Sequence, residues 1–466
     1  MRALLLLGIT AFCAAADWPS FRGPNSSGVS PDTNLPVRFG PGTQVWKTPL
    51  PPGHSSPVVI GDRIYLTAWE TEKLFTFALD RGSGRILWRR EAPRDRKQKL
   101  HEKNSPASPS VAVDGRNIYA FFTDFGLISY GPDGNERWRA PLGPFNNPFG
   151  QGASPVIAGD TLLQSCDQES GSYFLALHKD TGKIKWRVER PDYTRGFSTP
   201  VLWKPKNAPL QALVAGSYRL TAYDVETGKE VWFVRGLTWQ LKPTPVLDED
   251  NIYVLGWAGE ADPGQQEEIP SFEAMLAKFD ADKDGKLSTE ELNNPKMTKG
   301  WVELDLDGDG VMGARDWALY QSKRAVVNGI NAYKLGGSGD MTDRNHLWRY
   351  SRSLPNATSP LLYQGVLYMV KDGGILTSLD PKTGNVLKQA RMPDAPGAYY
   401  SSPIGADGKI YTLSEDGKLS VLRAAGEWEV IATHDFGESC KATPAIADGK
   451  IYVRTESALY CFAKRE

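Results

Sequence analysis

A Ser/Thr-Pro step recurs along this 466-residue chain, and the same sequence pattern follows it each time. The steps are Ser56-Pro57, Ser108-Pro109, Ser154-Pro155, Thr199-Pro200, Thr244-Pro245, Ser359-Pro360, Ser402-Pro403 and Thr443-Pro444. Neighbouring steps are about 45 residues apart, except for one longer gap after Pro245. A period of this length is typical of repeat proteins, so it restricts the fold more than any other feature of the chain.

Each repeat unit reads as four short β-strands joined by tight turns. The Pro is followed by apolar residues, a turn such as GD, DG or DED, and a second strand such as RIYLT or KIYVR. A third strand ends in a turn such as KDTG or VETG, and the fourth begins with an aromatic-rich element such as ILWRR. Four strands connected in this way form a propeller blade, so the eight steps predict an all-β, eight-bladed β-propeller.

The fourth strand of most units carries a Trp, which we expect to pack between neighbouring blades. These residues are Trp88, Trp138, Trp186, Trp232 and Trp348. In the two deviating units, Leu387 stands where the Trp is expected and Trp428 lies in a looser final turn. The last unit stops after three strands, so a strand around Val45–Lys47 is predicted to supply the fourth and close the ring.

The long gap contains a stretch rich in paired acids, DADKDGKLSTEE. It fits a twelve-residue calcium loop with side-chain oxygens at positions one, three, five, nine and twelve and a backbone carbonyl at position seven. These positions are Asp280, Asp282, Asp284, Ser288, Glu291 and, for the carbonyl, Lys286. Gly285 stands at the sixth position, where such a loop turns sharply. The alternative, an acidic surface turn, leaves this full agreement unexplained.

A second stretch, DLDGDGVMGARD, repeats the pattern with two departures. Its predicted ligands are Asp305, Asp307, Asp309, the Val311 carbonyl and Asp316. Gly313 offers no side-chain oxygen at position nine, and Asp316 replaces the usual Glu with a shorter carboxylate. The sequence thus predicts one or two calcium ions, with magnesium or weaker calcium binding as the alternative in the second loop.

The flanks of the two loops predict helices, because Phe272, Met275, Leu276 and Phe279 recur at helical spacing. We therefore expect an EF-hand pair at residues 260–326, inserted in blade five between propeller segments 17–259 and 327–466. The short span between the loops favours a compact structural pair, and calcium-driven closure over one face of the ring is the less favoured alternative.

The N-terminus, MRALLLLGITAFCAAADW, predicts a signal peptide at residues 1–16 with cleavage near Ala16. Lipoprotein processing at Cys13 is the alternative, but Phe12 is bulky for it. We therefore expect a periplasmic or secreted protein. No later stretch approaches about eighteen consecutive apolar residues, so no transmembrane segment is predicted. The net charge of −1 gives no basic field for nucleic acid.

Three cysteines would remain after cleavage: Cys166, Cys440 and Cys461. An exported compartment permits a disulfide, and Cys440 with Cys461 is the best pair because both lie in the last repeat. Three unpaired buried thiols are an equal alternative.

The string W-x-x-F-R-G-P at Trp18–Pro24, with units such as ALDRGSGRILW and AYDVETGKEVW, resembles the quinoprotein-like (PQQ-repeat) β-propellers. In that superfamily, quinone-dependent dehydrogenases bind PQQ and calcium at the ring centre beside an adjacent-cysteine disulfide, a Trp platform and an Asp base. This chain has no adjacent cysteines, and no motif assigns the Asp or the Trp. A second branch, the outer-membrane assembly lipoproteins, uses the ring as a protein-docking scaffold, but this chain lacks their usual lipid-anchor signal.

Segments that precede the Ser/Thr-Pro steps are expected at one mouth of the channel, where propellers carry function. They contain His54, His101, Glu102, Lys103, Asn104, Gln151, Arg195, Phe197, Trp239, Gln240, Lys242, Asn356, Tyr399, Tyr400, Glu438 and Lys441. If these residues converge, they form a mixed-charge, aromatic-rimmed funnel for a sugar, peptide or quinone; solvated loops are the alternative. The favoured function is a calcium-binding scaffold with a protein or small-molecule ligand at the mouth. The alternative is a PQQ-dependent oxidoreductase acting on an alcohol or sugar, although no motif supports PQQ.

Overall fold

A computed structural model of the chain describes residues 17–293, 299–301 and 304–464. The predicted signal peptide and Cys13 lie outside these residues. The described strands form eight antiparallel sheets, which confirms the eight-bladed propeller. None of the described helices is long and apolar enough to cross a bilayer.

Strands are numbered in chain order. Blades one to four contain β2 (Val58–Ile60), β3 (Arg63–Glu70), β4 (Lys73–Asp80), β5 (Ile86–Ala92); β6 (Ala112–Val113), β7 (Ile118–Phe122), β8 (Gly126–Tyr130), β9 (Glu136–Pro141); β10 (Val156–Ala158), β11 (Thr161–Cys166), β12 (Tyr173–His178), β13 (Ile184–Glu189); and β14 (Val201–Trp203), β15 (Gln211–Gly216), β16 (Arg219–Asp224), β17 (Glu230–Arg235). Blades five to eight contain β18 (Val246–Leu247), β19 (Asn251–Gly256), β20 (Gly329–Lys334), β22 (His346–Tyr350); β23 (Leu361–Tyr363), β24 (Val366–Lys371), β25 (Ile375–Leu379), β26 (Val386–Arg391); β27 (Ile404–Ala406), β28 (Lys409–Leu413), β29 (Lys418–Arg423), β30 (Glu429–Asp435); and β31 (Ala445–Ala447), β32 (Lys450–Arg454), β33 (Ala458–Ala463) with β1 (Gln44–Pro49).

The ring closes through the predicted N-terminal strand. β1 pairs antiparallel with β33, with Trp46 opposite Cys461, so the last blade takes strands from both ends of the chain. This pairing covers the edge of β33, which would otherwise expose unpaired backbone groups.

The repeated tryptophans join neighbouring blades, as predicted. The indole Nε1 of Trp88 donates to the Pro132 carbonyl in the next blade at 2.8 Å, and Trp46, Trp138, Trp186 and Trp348 make equivalent bonds. The Trp88 indole also covers a glycine in a turn of the next blade: a Cβ on Gly134 would lie 2.8 Å from Trp88. The TG-type turn is therefore small because an indole from the preceding blade rests on it.

Two units depart from this packing for visible reasons. Trp232 packs between blades four and five but donates to Gln211 of its own blade at 3.0 Å. Blade five has a longer segment in place of the turn, and part of it forms β21 (Gly339–Asp340), a fifth strand parallel to β17. In blade six, Leu387 packs against Gly426, and Trp428 of blade seven is buried at the same interface.

A closed belt of hydrogen bonds surrounds the channel. In each blade one backbone N–H donates to a Ser or Thr hydroxyl of the next blade, at 2.9–3.3 Å, and the eighth bond returns to the first blade. This Ser/Thr belt consists of Ser56, Ser110, Ser154, Thr199, Thr244, Ser359, Ser402 and Thr443, all buried. Seven of them are the Ser or Thr of a Ser/Thr-Pro step, whereas blade two uses a residue outside its step. Ser110, after Pro109, occupies the belt position, and Ser108 instead faces the His54 ring at 3.3 Å.

The segment around the W-x-x-F-R-G-P string crosses the channel and plugs one end of it. Trp18 pairs with Val59 of blade one, Asn25 makes two hydrogen bonds to Leu202 of blade four, and Gly28 accepts from Gly405 of blade seven. These partners follow the belt residues along the innermost strands, whereas the mouth segments precede them. The plug therefore lies on the side of the belt opposite the mouth.

Gly23 shapes the plug. It has φ 71°, and a Cβ at this position would lie 2.6 Å from the Trp18 indole. The glycine thus permits a left-handed turn directly against a buried ring.

The chain between β19 and β20 leaves the ring and forms a helical insertion. Its helices are α1 (Phe272–Phe279), α2 (Thr289–Leu292) and α3 (Ala314–Ala325); a further short helix, α4 (Thr342–Asn345), follows β21. Ser271 caps α1 by accepting from the Ala274 N–H at 3.2 Å. The apolar faces of the insertion pack around Trp317, Leu287 and Met312 in a core of their own.

Of the two alternatives for the cysteines, the structure has the unpaired buried thiols and not the Cys440–Cys461 disulfide. Cys166, Cys440 and Cys461 are buried and unpaired, and burial raises the pKa of each thiol to about 12. Both Cys440 and Cys461 contribute to the apolar core of the closing blade, which keeps them protonated small hydrophobic residues.

Candidate functional site

The first acidic loop draws its carboxylates together. Carboxylate oxygens of Asp280, Asp282 and Asp284 lie within 4.8 Å of one another. Gly285, at φ 79°, turns the chain so that its N–H donates to Asp280 Oδ2 at 3.1 Å. Three carboxylates this close repel one another unless a cation lies between them.

The end of this loop is fixed by a reciprocal cap at the start of α2. The Ser288 hydroxyl accepts the Glu291 N–H at 3.3 Å and donates to the Glu291 carboxylate at 2.8 Å. The other carboxylate oxygen of Glu291 accepts from the Ala281 N–H at 2.9 Å. Glu291 is therefore held against the loop, whereas the Ser288 hydroxyl acts as a helix cap.

The second loop has the same arrangement, but one of its carboxylates already bonds a lysine. Asp305, Asp307 and Asp309 bring oxygens within 4.8 Å of one another. The Lys286 ammonium of the first loop lies 3.0 Å from Asp309 Oδ2, and this hydrogen bond lowers the pKa of Asp309. Asp316 is buried at the start of α3, and its desolvation raises the pKa of that carboxyl.

The two loops are joined and could hold hard cations. Leu287 and Met312 exchange backbone hydrogen bonds of 3.1 and 2.8 Å, as in a two-residue β-bridge. The predicted ligand side chains of both loops all offer oxygen, which suits calcium or magnesium. The first loop fits calcium better than the second, because it ends in the longer carboxylate of Glu291 and the second ends in the shorter Asp316.

The insertion docks on the ring beside the channel mouth. Arg315 of α3 donates to the carbonyls of Glu169, Pro191 and Tyr193, at 2.9, 3.0 and 3.3 Å. Asn146 donates to the Leu306 carbonyl in the second acidic loop at 3.1 Å. The Lys323 ammonium lies 4.1 Å from the centre of the Trp239 ring. The second loop thus forms part of the rim of the mouth.

The mouth segments converge only in part. Seven of the predicted residues line a cavity of about 380 Å³ on the ring axis, here called the axial cavity: His101, Lys103, Asn104, Phe197, Lys242, Asn356 and Tyr400. Arg195, Trp239 and Gln240 lie in a groove toward the second acidic loop, and His54 and Lys441 line a small separate recess. Gln151 and Tyr399 are buried in hydrogen bonds, the Glu438 carboxylate bonds Ser457, and Glu102 is exposed.

The axial cavity has residues that the sequence analysis missed. Phe21 of the plug lies at its closed end, and Phe149 forms part of the wall. Phe149 precedes a belt residue just as Phe197 does, so the same signal could have found it. Nothing in the local sequence around Phe21 indicates that it reaches the ring axis.

The axial cavity is basic rather than mixed in charge, contrary to the expected funnel. His101, Lys103 and Lys242 line it, and within the described part of the chain no carboxylate is among its lining residues. The Lys242 ammonium bonds the neutral Asn356 Oδ1 at 2.7 Å, and burial lowers its pKa to about 8. Buried acids near the mouth pair instead with arginines: Asp124 with Arg94 at 2.7 Å, Asp167 with Arg190 at 2.7 Å, and Glu169 with Arg195 at 2.5 Å.

Comparison with known proteins identifies similar chains. A family model described as outer membrane protein assembly factor BamB matches residues 37–170, 126–262 and 338–466. An outer membrane protein assembly factor BamB from Burkholderia pseudomallei (strain K96243) is 22% identical over 395 residues, covering 82% of this chain and 87% of the relative.

Solved structures share the fold at low identity. The crystal structure of BamB from Moraxella catarrhalis aligns with a TM-score of 0.58 at 14% identity, covering 91% of this chain and 98% of that one. A europium-containing methanol dehydrogenase aligns with a TM-score of 0.61 at 10% identity, covering 96% and 98%. An assembly factor and a dehydrogenase resemble this ring to similar degrees, so fold alone does not separate their functions.

Proposed function

The chain belongs to the family of outer membrane protein assembly factor BamB, and from this premise we propose that it is an exported, calcium-binding, non-catalytic scaffold for protein binding or assembly. The family match covers the propeller on both sides of the insertion. Export is supported by the predicted signal peptide. It is also supported by the name of the relative, which is an outer membrane protein assembly factor.

One observation supports a scaffold over a quinone-dependent dehydrogenase: among the described residues, no carboxylate lines the axial cavity. The dehydrogenases of that superfamily use an Asp as the base, and a base must lie within hydrogen-bond reach of its substrate. The nearest buried acids, such as Asp167, are held in ion pairs with buried arginines. Arg190 donates to both carboxylate oxygens of Asp167, at 2.7 and 3.0 Å, so neither oxygen is free to accept from a substrate.

The alternative, a PQQ-dependent oxidoreductase, fits the residues less well. The quinone site of that superfamily is built from adjacent cysteines, a Trp platform and an Asp base. The axial cavity is lined by none of these residue types, and Trp239 lies outside it, in the neighbouring groove. The residues of the axial cavity therefore do not fit the quinone site of that superfamily.

Calcium binding is the second part of the proposal. Residues 260–326 would form a separate EF-hand-like unit, with Asp280, Asp282, Asp284, the Lys286 carbonyl and Glu291 around one ion. Asp305, Asp307, Asp309, the Val311 carbonyl and Asp316 would bind a second, weaker ion. The closely grouped carboxylates and the bridge between Leu287 and Met312 support this unit.

Calorimetry with calcium and magnesium tests the metal proposal. Calcium is expected to bind and to raise the melting temperature, and Asp280→Asn is expected to abolish the tighter event. Asp262→Asn removes a carboxylate of the same insertion outside the loops and should change neither quantity. The absence of heat and of any thermal shift in the unaltered protein would refute calcium binding.

Photo-crosslinking in the native host tests the scaffold proposal. A photoreactive amino acid at Trp239 probes the mouth, and one at the exposed Ile184 on an outer strand serves as control. Discrete adducts with envelope proteins at the mouth only are expected. The scaffold proposal fails if no adduct forms and the protein, reconstituted with PQQ and calcium, turns over alcohols in a dye-linked assay.

A further inference from the structure

The wall of the axial cavity is rich in hydrogen-bond donors. Four belt residues line it: Thr199, Thr244, Ser359 and Ser402. Each hydroxyl oxygen already accepts a backbone N–H from the neighbouring blade. Within the described part of the chain none of these four O–H groups has an acceptor of its own, and a hydroxyl can donate one hydrogen bond in addition to those it accepts.

Two cations in this region have no ion-pair partner among the described residues. Lys242 makes no ion pair among the described residues, and its one polar partner is the Asn356 amide oxygen. Arg22, next to Phe21 in the plug, is buried and donates to the main-chain carbonyls of Pro360, Ser27 and Pro403. Lys103 bonds Glu415 at 3.3 Å, but Glu415 does not line the cavity. A buried cation without an anion is unfavourable, so an anion that enters is stabilised.

The rest of the cavity wall is apolar and suits the hydrocarbon part of a small ligand. Phe21 closes the inner end, and Phe149, Phe197 and Tyr400 form walls. Phe149 and Phe197 meet edge to face, with ring centres 6.4 Å apart. Small-ligand sites typically combine such apolar walls with a few convergent polar groups.

We propose that the axial cavity is a binding site for an organic carboxylate, whose oxygens accept from the belt hydroxyls and from Lys242 while its apolar body rests on Phe21 and Phe197. A carboxylate offers acceptors only, which matches a wall of donors. This site is independent of the acidic loops and of the scaffold role, since it uses residues of the ring and the plug alone.

Binding of benzoate tests the inference; it is measured by calorimetry in a carboxylate-free buffer, on protein stripped of calcium with a resin-bound chelator. Benzamide is the matched neutral probe. The dipeptide Gly-Phe and its C-terminal amide ask whether the carboxylate belongs to a free small acid or to a peptide C-terminus. Benzoate or Gly-Phe should bind, and each neutral counterpart should bind at least tenfold more weakly. The tighter of the two acids indicates the source of the ligand.

Asn356→Asp is the sharpest variant, because it puts a carboxylate 2.7 Å from Lys242 with little change in shape. This variant should bind benzoate or Gly-Phe at least tenfold more weakly, and its melting temperature should be higher. Lys242→Met should also lose binding, Lys242→Arg should retain it, and Lys204→Met, on an outer loop, should be neutral.

Three results would overturn the inference: equal binding of benzoate and benzamide, no binding of either acid, or unchanged affinity in Asn356→Asp. Because calcium is removed beforehand, none of these results bears on the metal loops. A failed crosslinking experiment, in turn, leaves the carboxylate site untouched.

Discussion

Thr443 donates its backbone N–H to the Ser56 hydroxyl at 3.0 Å across 387 residues of sequence, and this bond closes the Ser/Thr belt. Both residues are buried, so the N–H cannot turn to water if its acceptor is lost. Ring closure therefore depends on a polar contact at the channel as well as on the pairing of β1 with β33.

Removing the hydroxyl from the belt should destabilise the ring. Ser56→Ala leaves the Thr443 N–H buried without a partner, which costs about 1–3 kcal/mol of the free energy of unfolding. Thermal melting measures the loss. Ser83→Ala removes an exposed turn hydroxyl that bonds Asp80, and should change stability by less than about 0.5 kcal/mol.

A methyl group on the plug glycine should loosen the plug. Gly23→Ala forces a left-handed residue against Trp18 and is expected to cost at least about 1–3 kcal/mol, seen as a lower melting temperature. Gly42→Ala meets no atom within 4 Å and has no left-handed backbone, so it is the matched control. Equal stability of the two variants would contradict the described contact.

Loss of the Arg315 guanidinium should release the insertion from the ring. Arg315→Ala removes all three hydrogen bonds to the backbone of blade three. Amide hydrogen exchange is expected to become faster in α3 and in the loop around Leu306, while the propeller blades keep their protection from exchange. Arg344→Ala, which removes an exposed guanidinium from α4, should leave the exchange pattern unchanged.

Lys286 should compete with a cation for Asp309. Its ammonium lies 3.0 Å from that carboxylate, so a metal ion at the second loop must displace it. Lys286→Gln is expected to tighten calcium binding at the second loop several-fold in calorimetry at low salt. Lys283→Gln removes the same charge from the first loop without contact to Asp309, and a similar gain there would show a general charge effect.

Carboxylate binding should weaken as the pH rises through about 8. Lys242 loses its charge near this pH because burial, and then the nearby Arg195, lower its pKa. Lys103 and His101 line the same cavity, and no carboxylate faces Lys242 within it. Benzoate affinity should therefore fall several-fold between pH 7 and pH 9. In Lys242→Arg the guanidinium stays charged, so the fall should be much smaller.

The same lysine sets a dependence of stability on pH. Its folded pKa of about 8 lies below the ordinary value of 10.5, so the unfolded chain binds more protons between these values. The free energy of unfolding contributed by this group therefore rises with pH across that window. Lys242→Met should be more stable than the unaltered protein at pH 7 by about 1–2 kcal/mol, and the difference should shrink above pH 10.

Local patterns predicted the parts of the fold that repeat. The blades, the closing strand and the packing of Trp88 follow from alternation, turns and spacing that recur in each unit. The Ser/Thr belt was not predicted, and in blade two the step residue does not belong to it, because Ser110 and not Ser108 makes the hydrogen bonds. Register inside a blade is decided by the neighbouring blade, and a single unit does not reveal it.

The candidate site was predictable in its acidic loops and much less so in the ring. Loop residues such as Asp280 and Asp284 lie close in sequence, so a template finds them. The axial cavity combines Phe21, Lys103 and Lys242 from distant segments, and its charge depends on where Glu415 and Asp167 point. Convergence across a ring is a property of the closed fold, which spacing along the chain does not encode.

The plug has a consequence for biogenesis. Residues 18–29 leave the ribosome before any blade, yet their partners include Pro360 in blade six and Gly405 in blade seven. No earlier folding stage can satisfy these contacts, and contacts so distant in sequence form slowly. The earliest translated stretch of the described chain is therefore among the last to find its place. Throughout synthesis the segment that seals the centre is present but cannot dock, so the growing ring stays open until nearly every blade has been made.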